Sequence, residues 1–177
     1  NGNVPQIERV REVIFKSIDS NLRRFILGDT DSELVFYLFL TCLARSADLH
    51  RRGTGVDEVV NALRQTVKQV FEAVGETPEE DPLKLTILAT DGHTMTSFRW
   101  GTSLYYSTYK SRCMDRDTCP HLSPECEAKS ETGYVNHLII SSEPLQGDNT
   151  WIEMDDGDVI GVDWRMRLHQ EKLLHLT

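Results

Sequence analysis

The spacing of apolar residues changes once along the chain, near residue 83, and that change leaves few architectures open. Before it, apolar residues recur every three or four positions. Ile7, Val10, Val13, Ile14, Ile18, Leu22 and Ile26 do so over residues 5–26, with Arg9, Arg11, Glu12 and Lys16 on the other face. Pro5 suits the start of that helix. A second helix is expected over residues 31–46, apolar on most sides and therefore buried. A third is expected over 56–74, with Val56, Val59, Val60, Leu63, Val67, Val70 and Phe71 on one stripe, ended by Gly75 and "ETPEEDP". After residue 83 the period drops to two. "LKLTILATDG", "HTMTSFRW" and "SLYYSTYK" read as a meander of strands. "VNHLIISSEPL", "NTWIEMDDGDVIGVDW", split into a hairpin at Asp156-Gly157, and "RMRLHQEKLL" complete the set. Three helices followed by about five strands is an α+β pattern with a largely antiparallel sheet. No repeat, linker or low-complexity tract interrupts it, so residues 1–177 read as one domain.

Charge and length narrow the function. A formal net charge of −9 disfavours nucleic acid and anionic membranes as partners, since both would repel it. No apolar run approaches the roughly 20 residues needed to span a bilayer, and the polar start has no signal-peptide pattern. The chain reads as soluble and cytoplasmic. It begins without Met, as a processed product or a piece of something longer would. Of the four cysteines, Cys42 sits in an apolar run and reads as a core residue. Cys113, Cys119 and Cys126 share one polar segment with His121, a donor set zinc accepts. The spacing lacks the tight two-residue knuckle of structural zinc sites, so a reduced, exposed loop is the plainer reading.

One stretch asks for a chemical explanation. "LGDTDSELVFYLFL", residues 27–40, places Asp29, Asp31 and Glu33 at the mouth of a buried helix. Thr30 and Glu33 have the spacing of a capping box, Thr30 accepting from the Glu33 N–H and Glu33 returning to the Thr30 N–H. Acids also suit the positive end of the helix dipole. Asp31 is not needed for that cap. A carboxylate held on the first turn can take a cation, and an amino-acid ammonium is one candidate.

Four blocks in order, "GDTDSE", "ILATDG", "LIISSEPL" and "TWIEMDDGDVIGVD", together with the "NGN" at the start, resemble the class II glutamine amidotransferases. The branch most similar includes the fungal glutathione-degrading and bacterial ergothioneine-pathway enzymes. The resemblance implies an N-terminal-nucleophile hydrolase fold, a four-layer αββα sandwich with two antiparallel sheets, of which this chain would be the C-terminal portion. It implies a cysteine nucleophile that attacks a glutamine or γ-glutamyl carboxamide to give a thioester, which water then hydrolyses. No cofactor is implied. The family's Asn-Gly pair falls on Asn1 and Gly2, whose side-chain amide and backbone N–H would form the oxyanion hole. Its substrate-binding Asp falls on Asp31, where it would hold the α-ammonium of the glutamyl group, with Thr30 beside it as a second substrate-binding residue. Ser141, Ser142 and Glu143 would shape the pocket floor.

The family nucleophile lies upstream of the Asn-Gly pair, and none of the four cysteines here stands in that position. The expected missing partner is therefore an N-terminal segment of the same protein, without which this chain should be inactive. Assembly into an oligomer is compatible with the sequence. Two other readings compete. One is a non-catalytic binding or subunit-assembly module of the same fold. The other is an interaction protein built on a zinc loop at Cys113, Cys119, His121 and Cys126.

Overall fold

Asp19 breaks the first helical stretch. In the computed structural model, which describes residues 2–173, α1 runs over Ile7–Ser17 and a short α2 over Ser20–Arg23. Between them Ile18 is extended and buried, and the Asp19 carboxylate caps α2 by accepting from Asn21 N–H at 2.7 Å. The single helix expected over 5–26 is thus two. Side-chain spacing persists through the break because both pieces pack on the same neighbours, while a local Asp–backbone bond overrides helix continuation. Pro5 lies two residues ahead of α1, not at its first position.

The other helices follow their patterns. α3 covers Asp31–Leu43 and α4 Val56–Val74. α3 buries Leu34, Val35, Leu38, Phe39, Cys42 and Leu43, so its apolar residues face several sides at once. α4 buries one stripe from Val56 to Val74. It begins where Glu58 accepts from Gly55 N–H at 2.9 Å and ends at Gly75, whose φ of 70° suits a residue without Cβ.

Nine short strands form three antiparallel sheets among the described residues. β1 (Gly2–Asn3) pairs with β2 (Lys84–Leu85). β3 (Ile87–Thr90), β4 (Met95–Phe98), β8 (Asp158–Val162) and β9 (Leu168–Lys172) form a four-stranded sheet in the order β3-β4-β8-β9. β5 (Tyr105–Ser107) lies between β6 (Ile139–Ser141) and β7 (Ile152–Glu153) in the third.

Two strand pairings expected from sequence are absent. β5 does not extend the β3–β4 hairpin, and Asp156-Gly157 does not close a hairpin between β7 and β8. At both points the chain passes from one sheet to another. The crossing near Gly157 is fastened by Asp156, which accepts from Gly101 N–H at 2.7 Å and pairs with Arg99 at 3.1 Å. An Asp-Gly turn specifies a reversal of the chain, and which strand the reversed chain meets is left to packing.

The four-stranded sheet separates two apolar clusters. On one face Phe98 and Val159 join the helices in the main core. On the other, Ile160 meets Leu104, Tyr106 and Met154 of the third sheet's region. Residues 159 and 160 point to opposite faces because strand side chains alternate. The described residues therefore stack as helices, sheet and sheet, an α+β arrangement with antiparallel pairing. The outer helix layer expected beyond the second sheet has no counterpart among them. No helix among the described residues is long and apolar enough to cross a membrane.

Candidate functional site

A cleft of about 580 Å³ opens between α3 and the extended run of residues 84–91. Val35, Phe36, Phe39 and Leu43 line it from the helix, and Leu85, Ile87 and Ala89 from the strand. Lys84, Thr86 and Thr90 also lie along the strand wall, and further polar groups stand at the two ends of the cleft. Gly2, Asn3, Asp31 and Ser32 stand at one, where α3 begins and β1 meets β2. Arg51, Thr54, Asp91 and Thr94 stand at the other.

At the first end, the two oxygens of Asp31 each already serve the backbone. Oδ2 accepts from Val4 N–H at 3.0 Å, and Oδ1 accepts from Ser32 N–H at 2.7 Å and from the Ser32 hydroxyl at 3.3 Å. Asp31 thereby ties the start of the chain to the first turn of α3. Its expected freedom from capping is corrected, since it caps the Ser32 amide itself. An ionised carboxylate has about four lone-pair sites, so the partly buried group can take a further donor from the cleft.

The capping box is half present. Thr30 Oγ1 accepts from Glu33 N–H at 3.3 Å, as expected, but Glu33 does not return to Thr30. Its carboxylate takes the N–H groups of Leu27 at 3.0 Å and Gly28 at 2.8 Å. The loop before α3 folds over the helix end and presents those amides first. Arg11 holds it there through the carbonyls of Gly28 and Asp29 and the Asp29 carboxylate. Thr30 is a cap and does not line the cleft.

Gly2 pairs with Leu85, and a Cβ on it would lie 2.2 Å from the carbonyl oxygen of Lys84. The strand can approach β2 this closely only with glycine. Gly2→Ala is expected to push β1 off β2 and cost roughly 1–3 kcal/mol, the usual range for overpacking. A thermal melt of the variant checks it, and an unchanged midpoint would remove the packing role. Asn1 lies outside the described residues.

At the second end, Asp91 was legible only as half of an Asp-Gly turn. Its Oδ2 accepts from the N–H groups of Gly53 and Thr54, and its Oδ1 from those of His93 and Thr94, all within 2.9–3.0 Å. Partial burial raises its pKa, but the four amide donors outweigh that and hold it at about 2. The folded pKa is below the ordinary value of 3.8. The stabilisation is therefore complete above about pH 4 and is lost as pH falls towards 2. Urea unfolding at steps between pH 5 and 2 should show stability falling in that window. Asp91→Asn should flatten that part of the profile, and a parallel profile in the variant would refute the assignment. Arg51, Phe36 and Asp91 all face the cleft and were not singled out from sequence. Arg51 and Asp91 stand in loops whose spacing carries no sign of what they face.

The other sequence candidates lie elsewhere. Ser141, Ser142 and Glu143 belong to the edge of the third sheet or follow it, and none lines the cleft. That expectation is corrected, because β6 joined β5 and not the sheet that forms the cleft wall. The segment of Cys113, Cys119, His121 and Cys126 is organised by Glu127, which accepts from Cys113 N–H at 2.7 Å and pairs with Arg116 at 3.1 Å. Asn136 Nδ2 donates to Cys126 Sγ at 3.0 Å. Among the described residues no three His, Cys, Asp or Glu side chains converge to hold a metal ion.

No protein-family model matches the chain, and no curated protein does. Among solved structures the fold is similar to that of a glutamine aminotransferase class-II domain protein from Silicibacter pomeroyi, with a TM-score of 0.58 and 21% sequence identity. The match covers 97% of this chain and 64% of that one, so the chain spans less than two thirds of the neighbour's length. The likeness is one of fold.

Proposed function

We propose that this chain is the glutamyl-binding part of a class II glutamine amidotransferase or γ-glutamyl amide hydrolase. The observation that carries the reading is the meeting of Gly2 and Asp31 at one end of one cleft, joined by the bond from Val4 N–H to Asp31. Val4 and Asp31, 27 positions apart in sequence, are bonded there, and this sets Gly2 near Asp31, as a site holding both the α-ammonium and the γ-amide of one glutamyl group needs. Asp31 holds the ammonium. The Gly2 N–H and the Asn1 amide stabilise the oxyanion that forms when the carboxamide is attacked. The attacking thiolate is not supplied by Cys42, Cys113, Cys119 or Cys126, none of which lines the cleft. We assign it to polypeptide ahead of Asn1. The similarity of fold to the Silicibacter pomeroyi protein supports the reading.

The test is glutamate release from glutamine and from a γ-glutamyl anilide. The 177-residue chain alone should release none, and the form extended ahead of Asn1 to the start of its reading frame should release it. An extended form that binds γ-glutamyl compounds without turnover would favour the alternative, a binding module of the same fold.

A further inference from the structure

A second, smaller cavity lies on the face of the four-stranded sheet turned away from the helices. It holds about 260 Å³ and shares no lining residue with the cleft. Strand alternation builds it. Tyr106 and Ile152 stand opposite each other on β5 and β7, and Thr108 follows Tyr106 at an interval of two. Leu168 and Gln170, two apart on β9, come from the facing sheet. Lys129 and Ser130 close one side from the loop that leads to Gly133. The Gly133 carbonyl pins that loop to β9 by accepting from Leu168 N–H at 2.8 Å.

The space lies between two sheets, where apolar contact is the rule, yet its walls carry unused hydrogen-bond donors. Thr108 is 3% exposed, and its hydroxyl has no hydrogen-bond partner among the described residues. Buried hydroxyls are ordinarily paired, because taking one out of water without a partner is unfavourable. Tyr106 Oη accepts from Gln170 Nε2 at 3.0 Å, which leaves its own hydrogen to donate. Burial raises the Tyr106 pKa above its ordinary 10.0, so that hydrogen stays in place at neutral pH. Among the described residues Lys129 is the only charged one on the cavity wall, and its ammonium has no ion-pair partner there. In a chain with 28 acidic and 19 basic residues, a cavity with a lysine and no carboxylate reverses the prevailing charge.

Such a wall suits an anion with a short apolar body. An ammonium and two hydroxyl donors match the oxygens of a carboxylate. Ile152 and Leu168 offer carbon surface beside them. The volume falls below the range of about 300–1,000 Å³ usual for drug-sized ligands, so the occupant is small. We propose that this cavity binds a small organic acid, with its carboxylate held by Lys129, Thr108 and Tyr106 and its carbon chain laid on Ile152 and Leu168. The site is separate from the cleft and stands whether or not Asp31 binds a glutamyl group.

NMR titration tests it. Backbone amide shifts of the 177-residue chain are followed as butyrate is added at about pH 7, where the acid is ionised. The amides of Thr108, Lys129 and Gly133 should move saturably. Butyramide has the same shape without the charge and should bind at least about tenfold more weakly, and Lys129→Gln should lose about tenfold in butyrate affinity. Thr108→Val keeps the shape of the side chain without its hydroxyl and should lose about threefold or more. The remaining amides report whether each variant keeps the fold, and Lys129, an exposed residue, carries the test if Thr108→Val does not fold. No saturable movement at the three amides would overturn the proposal. So would equal affinity for butyrate and butyramide, or full butyrate affinity in Lys129→Gln. Inorganic phosphate has no carbon chain to lie on Ile152 and Leu168 and should bind more weakly. Phosphate binding tighter than butyrate would overturn the assignment to an organic acid.

Discussion

Asp31→Asn, in the form extended ahead of Asn1, is expected to lower kcat/KM for γ-glutamyl amides by roughly 30-fold to several thousand-fold, mainly through KM. The range follows from about 2–5 kcal/mol for truncating one partner of a buried, hydrogen-bonded charge pair, at 1.36 kcal/mol per tenfold. The substitution is close to isosteric but removes the charge that the ammonium needs. It also has a structural cost that can be read independently. Asp31 now accepts from both Val4 and Ser32, and an asparagine has one oxygen to offer in place of two. One of those bonds is lost, at about 0.5–1.5 kcal/mol of stability. A modest fall in melting temperature together with a large rise in KM is the expected pair of results. A kcat/KM within twofold of the wild type would sink the substrate role. A large loss of activity that tracks unfolding would reduce Asp31 to a fastener between β1 and α3. Free glutamine, glutathione-like peptides and a γ-glutamyl anilide should lose affinity alike, because each presents the same ammonium.

Leu63→Ala is expected to cost about 2–5 kcal/mol of folding free energy. Leu63 is fully buried in the middle of α4, within the cluster that joins the helices to the four-stranded sheet. Alanine is the best helix former, so the helix itself loses nothing and the deficit is lost packing plus the cavity left behind. At about 2–4 °C per kcal/mol for a chain of this size, the melting midpoint should fall by roughly 4–20 °C. Leu27→Ala is the control. Its side chain is 91% exposed, and the change should stay within about 0.5 kcal/mol. Denaturant unfolding of the two variants checks both expectations. Similar losses in the two would mean that the core does not lie where α4 packs on α3 and the sheet.

The two halves of the chain differ in how much of them could be read in advance. α4 was legible to its ends because stripe, cap and terminator agree locally: Val56 to Val74 is one face, Glu58 serves Gly55, and Gly75 stops it. α3 was legible as a buried helix but ran three residues shorter than the apolar run suggested. The break at Ile18 was hidden because an apolar residue at the right spacing is buried equally well by a helix or by an extended turn. In the second half, the alternation located strands but not their partners. Thr86 separates β2 from β3, and β7 turned away from β8, although both junctions lie in runs that look continuous. Strand pairing is a contact between distant residues, and a period of two is the same whichever neighbour is chosen.

The candidate site divides along the same line. From the sequence alone came an acidic first turn at the head of a buried helix, and a glycine beside the start of the chain. The α+β order of helices before strands came from it too. Each is a property of a few adjacent residues and their periodicity. Only the tertiary structure decided that Gly2 and Asp31 share one end of a cleft and that Asp91 closes the other with four backbone amides. It alone decided that Ser141 to Glu143 lie elsewhere and that β3 ends the order of its sheet among the described residues. Those facts depend on which strand sits beside which. That choice is set by the burial of two apolar clusters on opposite faces of one sheet, a condition on the whole chain that no local stretch of it records.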